Sequence, residues 1–127
     1  MPESPRSWPT ELKLDKDRRR LTISFEDGRV FVFDAEYLRV FSPSAEVQGH
    51  APHERKTVGG KAEVAILELV PTGNYAVRID FDDGHDTGIY GWDYFAELGT
   101  RRVELWQGYL DELAAKGLSR ESPDLPR

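Results

Sequence analysis

Apolar and polar residues alternate around two acidic-glycine turns, and these stretches predict the frame of the fold. Ile79, Phe81, Thr87 and Ile89 alternate with polar neighbours on either side of Asp83-Gly84, the pattern of two half-buried strands joined by a tight turn. A two-residue loop at Asp83-Gly84 would set Phe81 opposite Asp86 and Ile79 opposite Gly88, which wastes the apolar face. A three-residue loop, Asp82-Asp83-Gly84 with Gly84 left-handed, instead predicts Phe81 opposite His85, Ile79 opposite Thr87 and Val77 opposite Ile89. Upstream, ISFEDGRVFVF (Ile23 to Phe33) repeats the device. A loop of Glu26-Asp27-Gly28 pairs Phe25 with Arg29, Ile23 with Phe31 and Leu21 with Phe33. Each hairpin runs into a short helix, Ala35 to Phe41 and Trp92 to Leu98. The result is a weak internal duplication of a strand-loop-strand-helix unit, which convergent turn chemistry would explain as well.

Residues 1–10 carry three prolines and are expected to form a flexible arm until Trp8 or Leu12 docks. Glu11 to Asp15 reads as a short strand with Leu12 and Leu14 on one face. Asp34 is placed to cap the first helix, and Ser42-Pro43 is a start signal for a single turn over SPSAEV. Gly49 to Lys61 is expected to be an exposed loop. Ala62 to Val70 (AEVAILELV) is nearly continuous in apolar residues and predicts a central strand, followed by a turn at Pro71 to Asn74. Thr100 can cap a last helix over Arg101 to Lys116, with Val103, Trp106, Leu110, Leu113 and Ala114 as its buried stripe and Gly117 as its stop. Residues 118–127 form a polar tail that is expected to fray. The expected fold class is α+β: a mainly antiparallel sheet built from two hairpins plus a central strand, with two or three helices, as a single domain over residues 11–117.

Composition narrows the function classes. A chain of 127 residues is about one domain and long enough to bury a core without staples. The net charge of −6 argues against nucleic acid as a partner, since phosphate binding needs clustered cations. The one basic run, Arg18-Arg19-Arg20, falls where a solvated turn is expected. Cysteine is absent, so disulfides and thiolate metal sites are excluded. No apolar stretch reaches membrane-spanning length and no basic-then-apolar leader is present, which gives the expectation of a cytoplasmic protein without a membrane partner.

Candidate chemistry is sparse. Asp80, Asp82, Asp83 and Asp86 form an acidic cluster, but the calcium-loop pattern fails, because His85 and Gly91 stand where Gly and Glu are needed. A solvated turn is expected instead. Gly59-Gly60-Lys61 lacks the spacing and the Ser or Thr of a phosphate loop. His50 and His53 lie close together, and with His85 they form one conceivable site for zinc or iron. His85 itself, on the core side of its hairpin, is either a partly buried ring bonded to a backbone carbonyl or a metal ligand. No nucleophile elbow is present, so no catalytic residue is assigned and the expectation is a protein without enzyme activity.

WPTELKL (Trp8 to Leu14), AEYLRVFSPSAEVQGH (Ala35 to His50), VGGK (Val58 to Lys61), PTGNYA (Pro71 to Ala76) and FDDGHDTGIYGW (Phe81 to Trp92) together resemble the gamma-butyrobetaine hydroxylase-like N-terminal domain. In the hydroxylases this domain precedes an iron and 2-oxoglutarate oxygenase domain. The present chain offers no H-x-D with a distant His for a facial triad, so hydroxylase activity is not carried over. Related domains also resemble appendages of Mrp-type ATPases that handle iron–sulfur clusters. The resemblance therefore implies an accessory or adaptor domain that binds a protein partner in iron or iron–sulfur metabolism. The hydroxylase domain typically holds zinc with three cysteines after a leucine-arginine pair and the histidine of a D-G-H turn. Here Leu38-Arg39 is followed at the matching positions by Ser42, Ser44 and Val47, while His85 matches the histidine. The resemblance thus implies a degenerate metal site with no cofactor, in which the two serines are free to hydrogen-bond to His85. The alternative is a zinc or iron protein using His85 with His50, His53 or nearby acids.

Overall fold

The computed structural model describes residues 8–49 and 55–121. Its first half is a three-stranded antiparallel meander of β1 (Pro9–Leu14), β2 (Arg20–Phe25) and β3 (Val30–Asp34), followed by helices α1 (Ala35–Val40) and α2 (Ala45–Gln48). A second meander of β4 (Ile66–Thr72), β5 (Ala76–Phe81) and β6 (Gly88–Gly91) leads into α3 (Trp92–Thr100) and α4 (Arg102–Ala115). The class is α+β; the described residues form two three-stranded sheets rather than one sheet, and four helices rather than two or three. The expected central strand is also corrected, since β4 starts only at Ile66 and pairs with β5 alone, at an edge. Its apolar run misleads because Leu67 is turned outward at a register irregularity between Ile66 and Glu68.

The first hairpin closes as its loop chemistry dictates. Gly28 takes φ 93°, Phe25 N–H donates to Arg29 O, and Ile23 and Leu21 face Phe31 and Phe33. The second hairpin begins identically, with Gly84 at φ 92° and Phe81 N–H donating to the His85 carbonyl. Beyond it one extra residue enters the second strand, so Ile79 pairs with Gly88 and Val77 with Tyr90, not with Thr87 and Ile89. The slip turns Ile89 outward and buries Tyr90 completely.

One apolar cluster joins both sheets and the helices, from Leu21, Ile23 and Phe33 through Ile66, Ile79 and Phe81 to Phe95 and Tyr109. The expected α4 stripe holds at Leu113, which is buried, and at Trp106 and Leu110, which are half-buried against the core; it is corrected at Val103 and Ala114, which are exposed, and Tyr109 is buried instead. The helix stops as expected: Gly117 at φ 66° donates to Ala114 O and Leu118 N–H to Leu113 O, closing a Schellman motif. Thr100 is the last residue of α3 and not the cap of α4. Asp34 makes no side-chain cap on α1, and the cap of α2 is Ser44, two residues after the expected Ser42.

Three stretches expected to be solvated are tied down. Arg18 donates to Leu67 O and Arg19 to Ala62 O, so the basic run links the two sheets. Residues 55–61 lie along α4, through Arg55 and Thr57 to Glu112 and through Tyr109 to Val58 O. Over residues 118–121 the expected tail is fastened by Gly60 N–H to Ser119 O and Ala62 N–H to Arg120 O.

Candidate functional site

The site is organised by the C-terminal end of α1, where the last carbonyls of a helix need partners. Tyr90 donates its hydroxyl to Leu38 O at 2.5 Å, Tyr94 to Phe41 O at 2.6 Å, and Gln48 donates to Ser42 O at 2.8 Å. These bonds fix the chain as it leaves the helix and deliver Ser42, which is fully buried, against the second hairpin. Gly88 accepts this approach, because a Cβ there would overlap Ser42 Oγ.

Ser42 Oγ lies 2.8 Å from His85 Nε2, and His85 Nδ1 lies 3.0 Å from Glu46 Oε1. A carboxylate can only accept, so Nδ1 carries the proton and Nε2 accepts from the Ser42 hydroxyl. Ser42 Oγ in turn accepts from Ser44 N–H at 3.2 Å. Ser44 Oγ accepts from Glu46 N–H and meets Thr87 Oγ1 at 2.7 Å, and Thr87 also reaches Glu46 at 3.2 Å. The expected hydrogen bond from Ser42 to His85 is therefore present. Ser44 bonds to Thr87 beside it, and Val47 is buried in the core. The expected backbone-carbonyl partner of His85 is replaced by a hydroxyl and a carboxylate. Glu46 is not singled out by the sequence, since nothing local couples it to a histidine 39 positions away.

Asp83 anchors the turn beneath. Its carboxylate takes Arg39 Nε at 2.7 Å and Lys61 Nζ at 2.6 Å, and accepts from His85 N–H at 3.0 Å. Burial alone would raise its pKa, but Lys61, the His85 amide and Arg39 outweigh it and hold the carboxyl down at about 2. Elsewhere in the acidic cluster Asp82 and Asp86 are exposed as a solvated turn requires, with Asp82 accepting from Ala65 N–H, and Asp80 pairs with Arg78. His85 is held below its ordinary pKa, first by burial and then by the Arg39 cation, against the pull of Glu46 and Asp83.

The residues present do not fit a zinc centre. One imidazole with both nitrogens engaged, two hydroxyls and a valine give too few basic donors, and a guanidinium already stands beside the ring. Among the described residues no three His, Asp or Glu side chains gather as metal ligands would, and His50 and His53 lie outside the described residues. The carboxylate-imidazole-hydroxyl connectivity is that of a serine nucleophile relay, but Ser42 is 0% exposed and its oxygen faces the Gly88 backbone.

The chain matches the family model described as gamma-butyrobetaine hydroxylase-like, N-terminal, over residues 12–96, and it belongs to that family. It is similar to two proteins solved by NMR. One is 44% identical with a TM-score of 0.78, covering 94% of each chain, and the other is 43% identical with a TM-score of 0.80, covering 100% of this chain and 97% of that one. It is also similar to a crystal structure of a protein of unknown function of the DUF971 family, the same family, from Acidithiobacillus ferrooxidans. There the identity is 35% and the TM-score 0.63, over 76% of this chain and 98% of that one. No curated protein matches. Among the described residues no helix is long and apolar enough to cross a membrane.

Proposed function

We propose that this chain is a non-catalytic accessory domain of the cytoplasm that binds another protein, in the setting of iron or iron–sulfur metabolism that its family resemblance suggests. The observation that carries this reading is the state of His85. Its ring is 3% exposed and spends both nitrogens on Ser42 and Glu46, so the residue best placed for metal chemistry works as a structural cross-link. The hydroxyl beside it is sealed from any substrate. What remains for function is the outer surface, where Val30, Val32 and Val103 stand exposed.

The test is affinity capture of the full chain from its native cells, paired with metal analysis of protein purified without a histidine tag. A stoichiometric protein partner and no stoichiometric metal are expected. Stoichiometric zinc or iron that disappears with His85→Ala would overturn the reading in favour of a metal-binding protein.

A further inference from the structure

Glu36 lies in the first turn of α1, and the residue is 6% exposed in a helix turn packed against the core. A carboxylate buried this far needs a cation, and leaving it bare is strongly destabilising. The cation comes from beyond the last helix. Arg120 makes a bidentate pair with Glu36 at 2.7 and 2.8 Å, and its guanidinium lies 5.3 Å from the Trp106 ring centre. The backbone on either side of Arg120 is held by Gly60 and Ala62 amides donating to Ser119 and Arg120 carbonyls. Two open clefts of about 360 and 340 Å³ flank this contact and share Asp34 and Arg120. Without Arg120 the first would be walled by Asp15, Asp17, Asp34 and Glu36 against Arg19 and Arg20 alone, an acidic surface on an acidic chain.

We propose that this place is a docking site for an extended, arginine-bearing segment of a partner protein, and that residues 118–121 occupy it in cis as a stand-in. The claim deepens the accessory-domain reading and rests on it. The receptor parts are a buried carboxylate, a half-buried indole, and the Gly60 and Ala62 backbone donors at a strand's alternate spacing, the combination that selects an arginine in an extended peptide. The occupant is the short, exposed part. It is four residues long, the Arg120 side chain is 48% exposed, and it is held by the Gly60 and Ala62 amides, the Leu118 N–H bond to Leu113 O, the ion pair with Glu36 and the Trp106 ring. A segment carrying the same arginine and further basic residues satisfies Glu36 equally well and gains from the acidic wall, so exchange leaves no buried charge unpaired.

The test titrates the isotope-labelled full chain carrying Arg120→Ala with a synthetic peptide of the Gly117 to Ser122 sequence, and with the same peptide bearing alanine for arginine. The arginine peptide is expected to shift the Trp106 indole and the Gly60 and Ala62 amides, and to bind at least about tenfold tighter than the alanine peptide. Wild-type chain is expected to bind about tenfold more weakly than the variant, because its own strap competes, and Glu36→Gln combined with Arg120→Ala is expected to lose the preference. If Arg120→Ala does not fold, Arg120→Lys, which keeps the cation without the bidentate pair, is titrated with the same expectations. Equal binding of the two peptides, shifts confined to other residues, or concentration-dependent dimers from strap exchange overturn the proposal. A captured partner whose binding survives Glu36→Gln leaves the accessory-domain reading standing and overturns this site.

Discussion

Replacing His85 by alanine removes the centre of the cross-link between α1 and the second hairpin. The Ser42 hydroxyl, fully buried, loses its acceptor, which costs about 1–3 kcal/mol. The missing ring also leaves a void beside Phe81, whose ring centre is 6.1 Å away, adding about 1–2 kcal/mol of lost contact. Glu46 contributes little, since its side chain is 63% exposed and regains water. The sum is about 3 kcal/mol out of the roughly 5–15 kcal/mol that holds a domain of this size. In urea, with a slope of about 1.5 kcal/mol per molar, the unfolding midpoint falls by about 2 M. Ser42→Ala strips the same bond from the other side and costs about 1–2 kcal/mol. Because the two residues share one interaction, the double variant should fall short of the summed losses by about 1 kcal/mol. Strict additivity, or a midpoint in His85→Ala within about 0.3 M of wild type, refutes the reasoning.

Gly88→Ala should cost about 2 kcal/mol and lower the melting temperature by about 8 °C, because the added methyl overlaps Ser42 Oγ; an unchanged melting curve would show that the approach of Ser42 to Gly88 is not tight. Asp83 has a folded pKa of about 2 against an ordinary 3.8, so its stabilisation is complete above pH 3.8 and is lost as pH falls through about 2. That window is worth about 2 kcal/mol in acid denaturation, and Asp83→Asn should flatten it while destabilising the chain at neutral pH.

Turn chemistry is the most legible part of the sequence. Both loops close with a left-handed glycine, and the first hairpin keeps its expected register throughout because Leu21, Ile23, Phe31 and Phe33 leave one possible buried face. The second register fails past His85 because Ile89 and Tyr90 are adjacent and both apolar, so alternation cannot choose between them. The choice is made by distant partners: the Leu38 carbonyl that takes the Tyr90 hydroxyl, and Ser42, which needs a glycine opposite. The α4 stripe misses Tyr109 for the same reason, since Tyr109 is held inward by Val58 O in a segment that reads as loop. The pairing of Ser42 with His85 is readable through family resemblance, whereas Glu46 and the Arg120 strap depend on contacts across 39 and 84 positions that carry no local pattern.

The sharpest test of the cross-link is a nitrogen-detected NMR titration of the His85 ring in metal-free protein. Burial and the Arg39 cation make charging the ring unfavourable, so its pKa should lie below 6.5, and the stability it lends should be complete above that pH and lost as pH falls below it. At pH 7 a single neutral tautomer protonated at Nδ1 is predicted, with Nε2 accepting from Ser42, and added zinc should leave the spectrum unchanged. A ring protonated at Nε2, a pKa at or above 6.5, or stoichiometric zinc shifting either nitrogen would contradict it.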